Sequence, residues 1–178
     1  MDKPLDKLSP DERKIVLAGL RGGQRTVRHH KHHFSTDHVR FGYFSDPHIG
    51  NKCFDWRLWD TMCQYFKRKG ITRVYSPGDI VDGMSGRPGS LYELEAIGFN
   101  AQRDLAVKAI NMLKGMSVYS IAGNHDLFFK DKSGVDANIC EAIAGKCSHF
   151  NFLGDWEADV ELGKGVTMKL FHSNDGTA

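Results

Sequence analysis

Long apolar runs are missing from this chain. No stretch approaches the roughly 20 consecutive apolar residues of a membrane span, so nothing in it reads as a helical membrane segment. Cysteine is scarce. Only Cys53, Cys63, Cys140 and Cys147 occur, and no two form a C-x-x-C pair, which argues against a structural zinc knuckle. A dominant charge is missing too. The formal net charge is +2, so no global field forces a nucleic-acid or membrane partner. The opening stretch "MDKPLDKLSPDERK" is charged and has no apolar core, unlike a secretory signal. Reduced thiols, a cytoplasmic location and no membrane partner are the expectation.

What is present suits one folded domain. A length of 178 residues allows a single hydrophobic core. Residues 1–38 read as an appendage. Ser9 is a candidate N-cap, Pro10 fits the first helical position and Glu12 completes a capping box. Ile15, Val16, Leu17 and Leu20 form an apolar stripe that Gly22-Gly23 ends. Between Arg21 and His33 there are four Arg or Lys, four His and no acid. This stretch reads either as a solvated basic arm that could lie along a phosphate backbone through Arg21, Arg25, Arg28 and Lys31, or as a linker without a partner.

From Val39 a strand–helix order begins, and residues 39–178 read as the main domain. "VRFGYFS", "TRVYSPGD" and "MSVYSIAG" are strand patterns. "FDWRLWDTMCQYFKRKG" is a helix with Phe54, Leu58, Met62, Tyr65 and Phe66 on one face, flanked by Cys53 and Cys63 as packing residues. A long helix is expected from Ser90 to Gly115, and another over "DANICEAIAGKC". "HFNFLG", "WEADVELG" and "VTMKLFHS" are strand-like runs. The alternation predicts an α/β fold with a mostly parallel sheet, and the later strands suggest a second sheet packed on the first.

Four of these strands end in polar groups of one kind. The first ends in Asp46 and His48, the second in Asp79 and Asp82, the third in Asn124, His125 and Asp126, and the last in His172. Open α/β sheets bind ligands at the carboxyl ends of their strands. Carboxylate, amide oxygen and imidazole together suit Mn, Fe, Zn or Ni better than calcium. Two such ions can share one carboxylate, hold an activated hydroxide and clamp a phosphate during in-line attack.

The motifs "DPH", "GDIVDG" and "GNHD", in this order, resemble those of the calcineurin-like metallophosphoesterases. The resemblance implies an α/β sandwich flanked by helices, with a dinuclear centre, manganese foremost, that hydrolyses phosphoesters. By matching position, Asp46 and His48 would bind the first metal, Asp79 would bridge both, and Asn124 and His172 would bind the second. His125 would face the substrate as a catalytic residue, oriented by Asp126. Asp82 would tie down the loop after Asp79. The stretch "SDPHIGNKCFD" is similar to the DNA-repair nuclease branch of that family. A phosphodiesterase or exonuclease on DNA or RNA is therefore the leading expectation. A phosphomonoesterase acting on a small molecule or a phosphoprotein remains open. Gly83 stands where the protein-phosphatase branch has arginine, which counts against that branch.

One family motif, G-H-x-H, does not follow His172, so the resemblance implies a C-terminally incomplete domain. Three explanations compete: a fragment, one half of a split enzyme completed by a C-terminal fragment or subunit, or a degenerate, non-catalytic module of a nucleic-acid-processing assembly. Arg87, in "MSGRPGS", reads either as a group that reaches a substrate phosphate or as a plain loop arginine.

Overall fold

A computed structural model describes residues 27–32, 34, 38–131, 135–163 and 165–173. The helix expected at Ser9–Leu20 with its Gly22-Gly23 stop, and Arg21, Arg25 and His33 of the arm, lie outside the described residues. The fold is mixed α/β. Its strands are β1 (Arg28–Lys31), β2 (Gly42–Tyr43), β3 (Arg73–Ser76), β4 (Ser117–Ala122), β5 (Phe150–Asp155), β6 (Glu157–Gly163) and β7 (Val166–Phe171). Its α-helices are α1 (Trp56–Arg68), α2 (Phe99–Asn111), α3 (Asn124–Asp131) and α4 (Ile139–Ala144).

Two sheets form. One has the order β2-β3-β4-β5, with every neighbouring pair parallel; the other has the order β1-β6-β7. The alternation of side chains along a strand explains how they stack. Val74, Val118 and Phe150 face a core shared with Trp59, Ala109, Leu127 and Ile143 of the four helices. Tyr75, Ile121 and Leu153 face the other way, against Ala158, Val160 and Leu170 of the second sheet. Helices, parallel sheet and second sheet are thus stacked layers.

Several segments depart from the sequence expectation, each for a local reason. The basic arm is in part a strand. β1 runs parallel to β6 with His29 opposite Asp159 and Lys31 opposite Glu161. Lys31 and Glu161 form an ion pair at 3.6 Å, and His29 Nδ1 lies 3.4 Å from an Asp159 carboxylate oxygen, so these bases answer acids of the same sheet. His30 Nε2 lies 3.2 Å from the Leu153 carbonyl, and His32 Nδ1 lies 2.7 Å from the Tyr75 hydroxyl. The helix expected from Ser90 begins only at Phe99. Ser90–Glu93 is a 3-10 turn, and Glu95 and Ala96 give their N–H groups to the Gly50 carbonyl. Gly98 then turns the chain at φ 93°, a conformation costly for any residue with a Cβ. The strand-like "HFNFLG" joins the parallel sheet as β5.

Asp55 caps α1 by accepting from the N–H groups of Arg57 and Leu58. The buried stripe of α1 is Trp59, Cys63 and Phe66, while the expected Leu58 and Tyr65 are exposed. Trp59 selects this rotation by giving its indole N–H to the Ala109 carbonyl at 3.0 Å. Cys53 is exposed and does not pack; Cys63, Cys140 and Cys147 are buried, and all four are free thiols.

Gln102 of α2 is fully buried and ties the helix to the loop after β3. It accepts from the Gly83 N–H at 2.8 Å and donates to the Gly83 and Ala96 carbonyls at 3.0 Å. Gln102→Leu removes all of these partners inside the protein and is expected to cost about 2–4 kcal/mol. Urea unfolding checks this, with the exposed Gln64→Leu as a control expected to stay within about 0.5 kcal/mol. An unchanged midpoint for Gln102→Leu would refute it.

Candidate metal centre

The parallel strands deliver their C-terminal ends to one edge, and the loops beyond them stay paired. Asp46 N–H bonds to the Gly78 carbonyl, His48 N–H to Asp79 and Ile49 N–H to Ile80, at 3.4, 3.1 and 2.9 Å. Asp46, His48 and Asp79 all adopt positive φ, at 50°, 46° and 52°. Such a conformation costs a residue with a Cβ about 1–2 kcal/mol and persists where its surroundings hold it, most often at functional sites. The loops after β3 and β4 meet more closely still. A Cβ on Gly123 would lie 2.2 Å from Asp79 Oδ1 and 2.7 Å from His172 Cε1, so only glycine fits there.

Asp79 lies at the middle, with 4% of its side chain exposed. Its Oδ1 accepts the backbone N–H of His125 at 2.9 Å. Its Oδ2 is 3.6 Å from His48 Nε2 and 3.4 Å from His172 Nε2. Two donor sets result. Ligand atoms of His48, Asp79 and His125 lie within 4.8 Å of one another, and so do those of Asp46, Asp79 and His172. Asp79 belongs to both. Asn124 joins the second set, its Oδ1 2.8 Å from His172 Nε2. Asp46, His48, Asp79, Asn124, His125 and His172 are therefore brought together. Asp46 groups with His172, whereas the motif resemblance groups it with His48.

Each imidazole has its Nδ1 held by an oxygen. His48 meets Asp82 Oδ1 at 3.1 Å, His125 the Asp82 carbonyl at 2.6 Å, and His172 the Pro77 carbonyl at 3.0 Å. An N–H spent at Nδ1 leaves the Nε2 lone pair for a ligand. His172 Nε2 then faces Asn124 Oδ1 and Asp79 Oδ2, which are both acceptors. A positive charge between them, either a proton or a metal ion, would relieve this meeting of acceptors. The donor set therefore fits a metal ion.

Without a metal, the surroundings favour a proton in that role. Burial pulls the pKa of His172 down, but the Asp79 hydrogen bond and charge outweigh it and the net shift is upward. His48 behaves alike: burial opposes, and the Asp82 hydrogen bond with the charges of Asp79, Asp82 and Asp46 prevails. Burial pushes Asp82 up, yet its bonds to His48 and Asn51 overcome this and the net shift is downward.

Asp126 does not orient His125. Its buried carboxylate accepts from the N–H groups of Ile80, Val81 and Gly123 at 3.2, 3.0 and 3.0 Å. It pins the loop after β3 to the loop after β4. Burial and the Asp79 charge push its pKa up to about 7, against the pull of those donors. Orienting the imidazoles falls to Asp82, through its carboxylate for His48 and its carbonyl for His125. Asn51 supports Asp82 at 3.2 Å. The spacing of Asp79 and Asp82 is visible in the sequence, but nothing in it tells a loop tie from an imidazole clamp. The helix α3 that starts at Asn124 carries no sequence signal strong enough to predict it either.

The chain matches no protein-family model and no curated protein sequence. No helix of the described residues is long and apolar enough to cross a membrane.

Metal must displace protons from His48 and His172. Mn²⁺ affinity is therefore expected to fall as the pH drops from about 8 to about 6, around the ordinary imidazole value near 6.5. Stability of the metal-free chain moves the opposite way. Folded, it holds protons on His48, His172 and Asp126 that the unfolded chain releases, so it is expected to lose stability as pH rises across that range. Calorimetric titration and urea midpoints at both pH values check the pair; a pH-independent affinity would sink it. Separately, Asp82→Asn is expected to weaken metal binding by about 10–100-fold, and Asp126→Asn to act mainly on the unfolding midpoint. Equal loss of affinity in both variants would overturn this division of labour between the two carboxylates.

Proposed function

We propose that this chain is a divalent-metal-dependent phosphoester hydrolase of the calcineurin-like metallophosphoesterase kind, acting on phosphodiesters of nucleic acid. The observation that carries this reading is the pair of donor sets sharing Asp79 at the strand ends. His48 and Asp79, with His125 beside them, would hold one ion, and Asp46, Asp79, Asn124 and His172 the other, with manganese the best match; His125 keeps its Nε2 for the substrate. Bound there, two divalent cations supply Lewis-acid charge for a phosphoryl oxygen and an acidified water as nucleophile.

The chain's own groups do the rest. Asp79 keeps the two sets at one distance. Asp82 holds His48 and His125 in one tautomer, with each Nδ1–H spent. His125 lines both cavities that flank the centre, of about 500 and 730 Å³. Protonated at Nε2, it would give that proton to the departing ester oxygen while its Nδ1–H stays on the Asp82 carbonyl. Two cavities that both reach His125 favour a diester, which has an arm for each, over a monoester. The second contains Lys52 and Phe54, a cation and an aromatic face of the kind that bind a nucleotide strand. A second reading, a subunit completed by another segment, draws on β7. It pairs with β6 alone among the described residues, and its open edge would accept a further strand.

With Mn²⁺ the chain is expected to release p-nitrophenol from bis-p-nitrophenyl phosphate faster than from the monoester. His125→Ala is expected to lower kcat by about 10²–10⁴-fold. No release from either ester, alone or with a complementing segment, would reject the hydrolase reading.

A further inference from the structure

The loop between β3 and α2 carries a built cationic feature that the proposed hydrolysis does not use. Arg87 lines the 500 Å³ cavity together with Ser85, Ser90, Glu93, Phe128 and His125. Its backbone is fastened on both sides: the Arg87 N–H bonds to Ser85 Oγ at 3.2 Å, and Ser90 Oγ–H bonds to the Arg87 carbonyl at 2.8 Å. Its guanidinium is fastened as well. Nη2 donates to both carboxylate oxygens of Glu93, each at 2.8 Å. That spends one nitrogen only. Nε–H and both Nη1–H groups have no protein partner among the described residues. The side chains of Arg87 and Glu93 remain 65% and 53% exposed.

An exposed ion pair contributes little to stability, so the fold gains little from fixing this arginine. An oriented fork with unspent donors is instead what a phosphate group needs. Both His125, at the candidate centre, and Arg87 line this one cavity, and its volume falls in the range of about 300–1,000 Å³ that encloses a small organic group.

We infer that Arg87 is a specificity residue that binds a second phosphate of the substrate, one ester arm away from the phosphate held at the centre. Glu93 orients the fork and Ser85 and Ser90 set its loop. The substrate class this selects is a strand or nucleotide with consecutive phosphates, in preference to an isolated diester. The inference rests on the phosphoester-hydrolase reading for its chemistry, although the phosphate subsite itself is a matter of binding.

Two substrates isolate the effect: thymidine 5′-(p-nitrophenyl phosphate) and the same compound phosphorylated at its 3′-oxygen. In each, a water oxygen joins phosphorus and p-nitrophenolate leaves. With Mn²⁺, kcat/KM is expected to favour the 3′-phosphorylated compound by about tenfold or more, and Arg87→Ala is expected to abolish that preference. Calorimetric binding of thymidine 3′,5′-bisphosphate against thymidine 5′-monophosphate gives the same comparison without turnover. Equal kcat/KM values in the native chain, or a preference that survives Arg87→Ala, overturn the inference and leave the hydrolase reading standing. Tighter binding of the bisphosphate that is lost in Arg87→Ala, with no turnover of either ester, supports the subsite and rejects the hydrolase reading.

Discussion

The structure depends on keeping one buried carboxylate, that of Asp79, among groups that all converge on it. A buried carboxylate is expensive unless hydrogen bonds and opposite charge compensate it. Here one oxygen accepts the His125 N–H and the other faces two imidazoles. The backbone is shaped to allow this. Three residues of the site accept positive φ, and Gly123 leaves its Cβ space to the Asp79 carboxylate. The strain and the crowding converge on a single atom group, which is why the strand ends cannot shift separately.

The imidazoles make the same point from the other side. Their Nδ1 atoms are committed to Asp82 and Pro77, so their Nε2 atoms are aimed before any ligand arrives. That prior orientation lowers the cost of binding, since no rotamer has to be frozen. In the metal-free state it creates a demand for protons, expressed in the raised pKa values of His48 and His172. Proton and cation therefore compete for one place.

Much of this is legible in the sequence alone. Strand and helix periods from Val39 onward predict the α/β layering, because α1, α2 and β4 to β7 are long enough to show their own repeats. The polar ends of β2, β3 and β4 predict a convergence, because parallel strands deliver their C-termini to one edge, and β7 adds His172 from the second sheet. What is not legible depends on partners far away in sequence. β1 looks like a free basic arm because its acids, Asp159 and Glu161, come only with β6, much later in the chain. The break before α2 depends on Gly50 capturing Glu95 and Ala96. The exchange of duties between Asp82 and Asp126 turns on a few ångströms. Both follow a ligand motif in the chain, and only burial among backbone N–H groups separates the loop tie from the imidazole clamp.

That distinction links the core to the chemistry. Asp126 pins the backbone of Ile80 and Val81, immediately after Asp79. Gln102 pins Gly83, immediately after Asp82, from within α2. The short segment that holds both Asp79 and Asp82 is therefore clamped at each end by a buried side chain from a helix. Neither clamp touches a donor atom of the candidate centre. A loop clamped only by its own turn would let Asp82 drift, and with it both His48 and His125, since a single residue holds the two rings. Placing the clamps on α2 and α3 transfers the rigidity of the packed core to the one segment where an ångström of drift would separate the two donor sets.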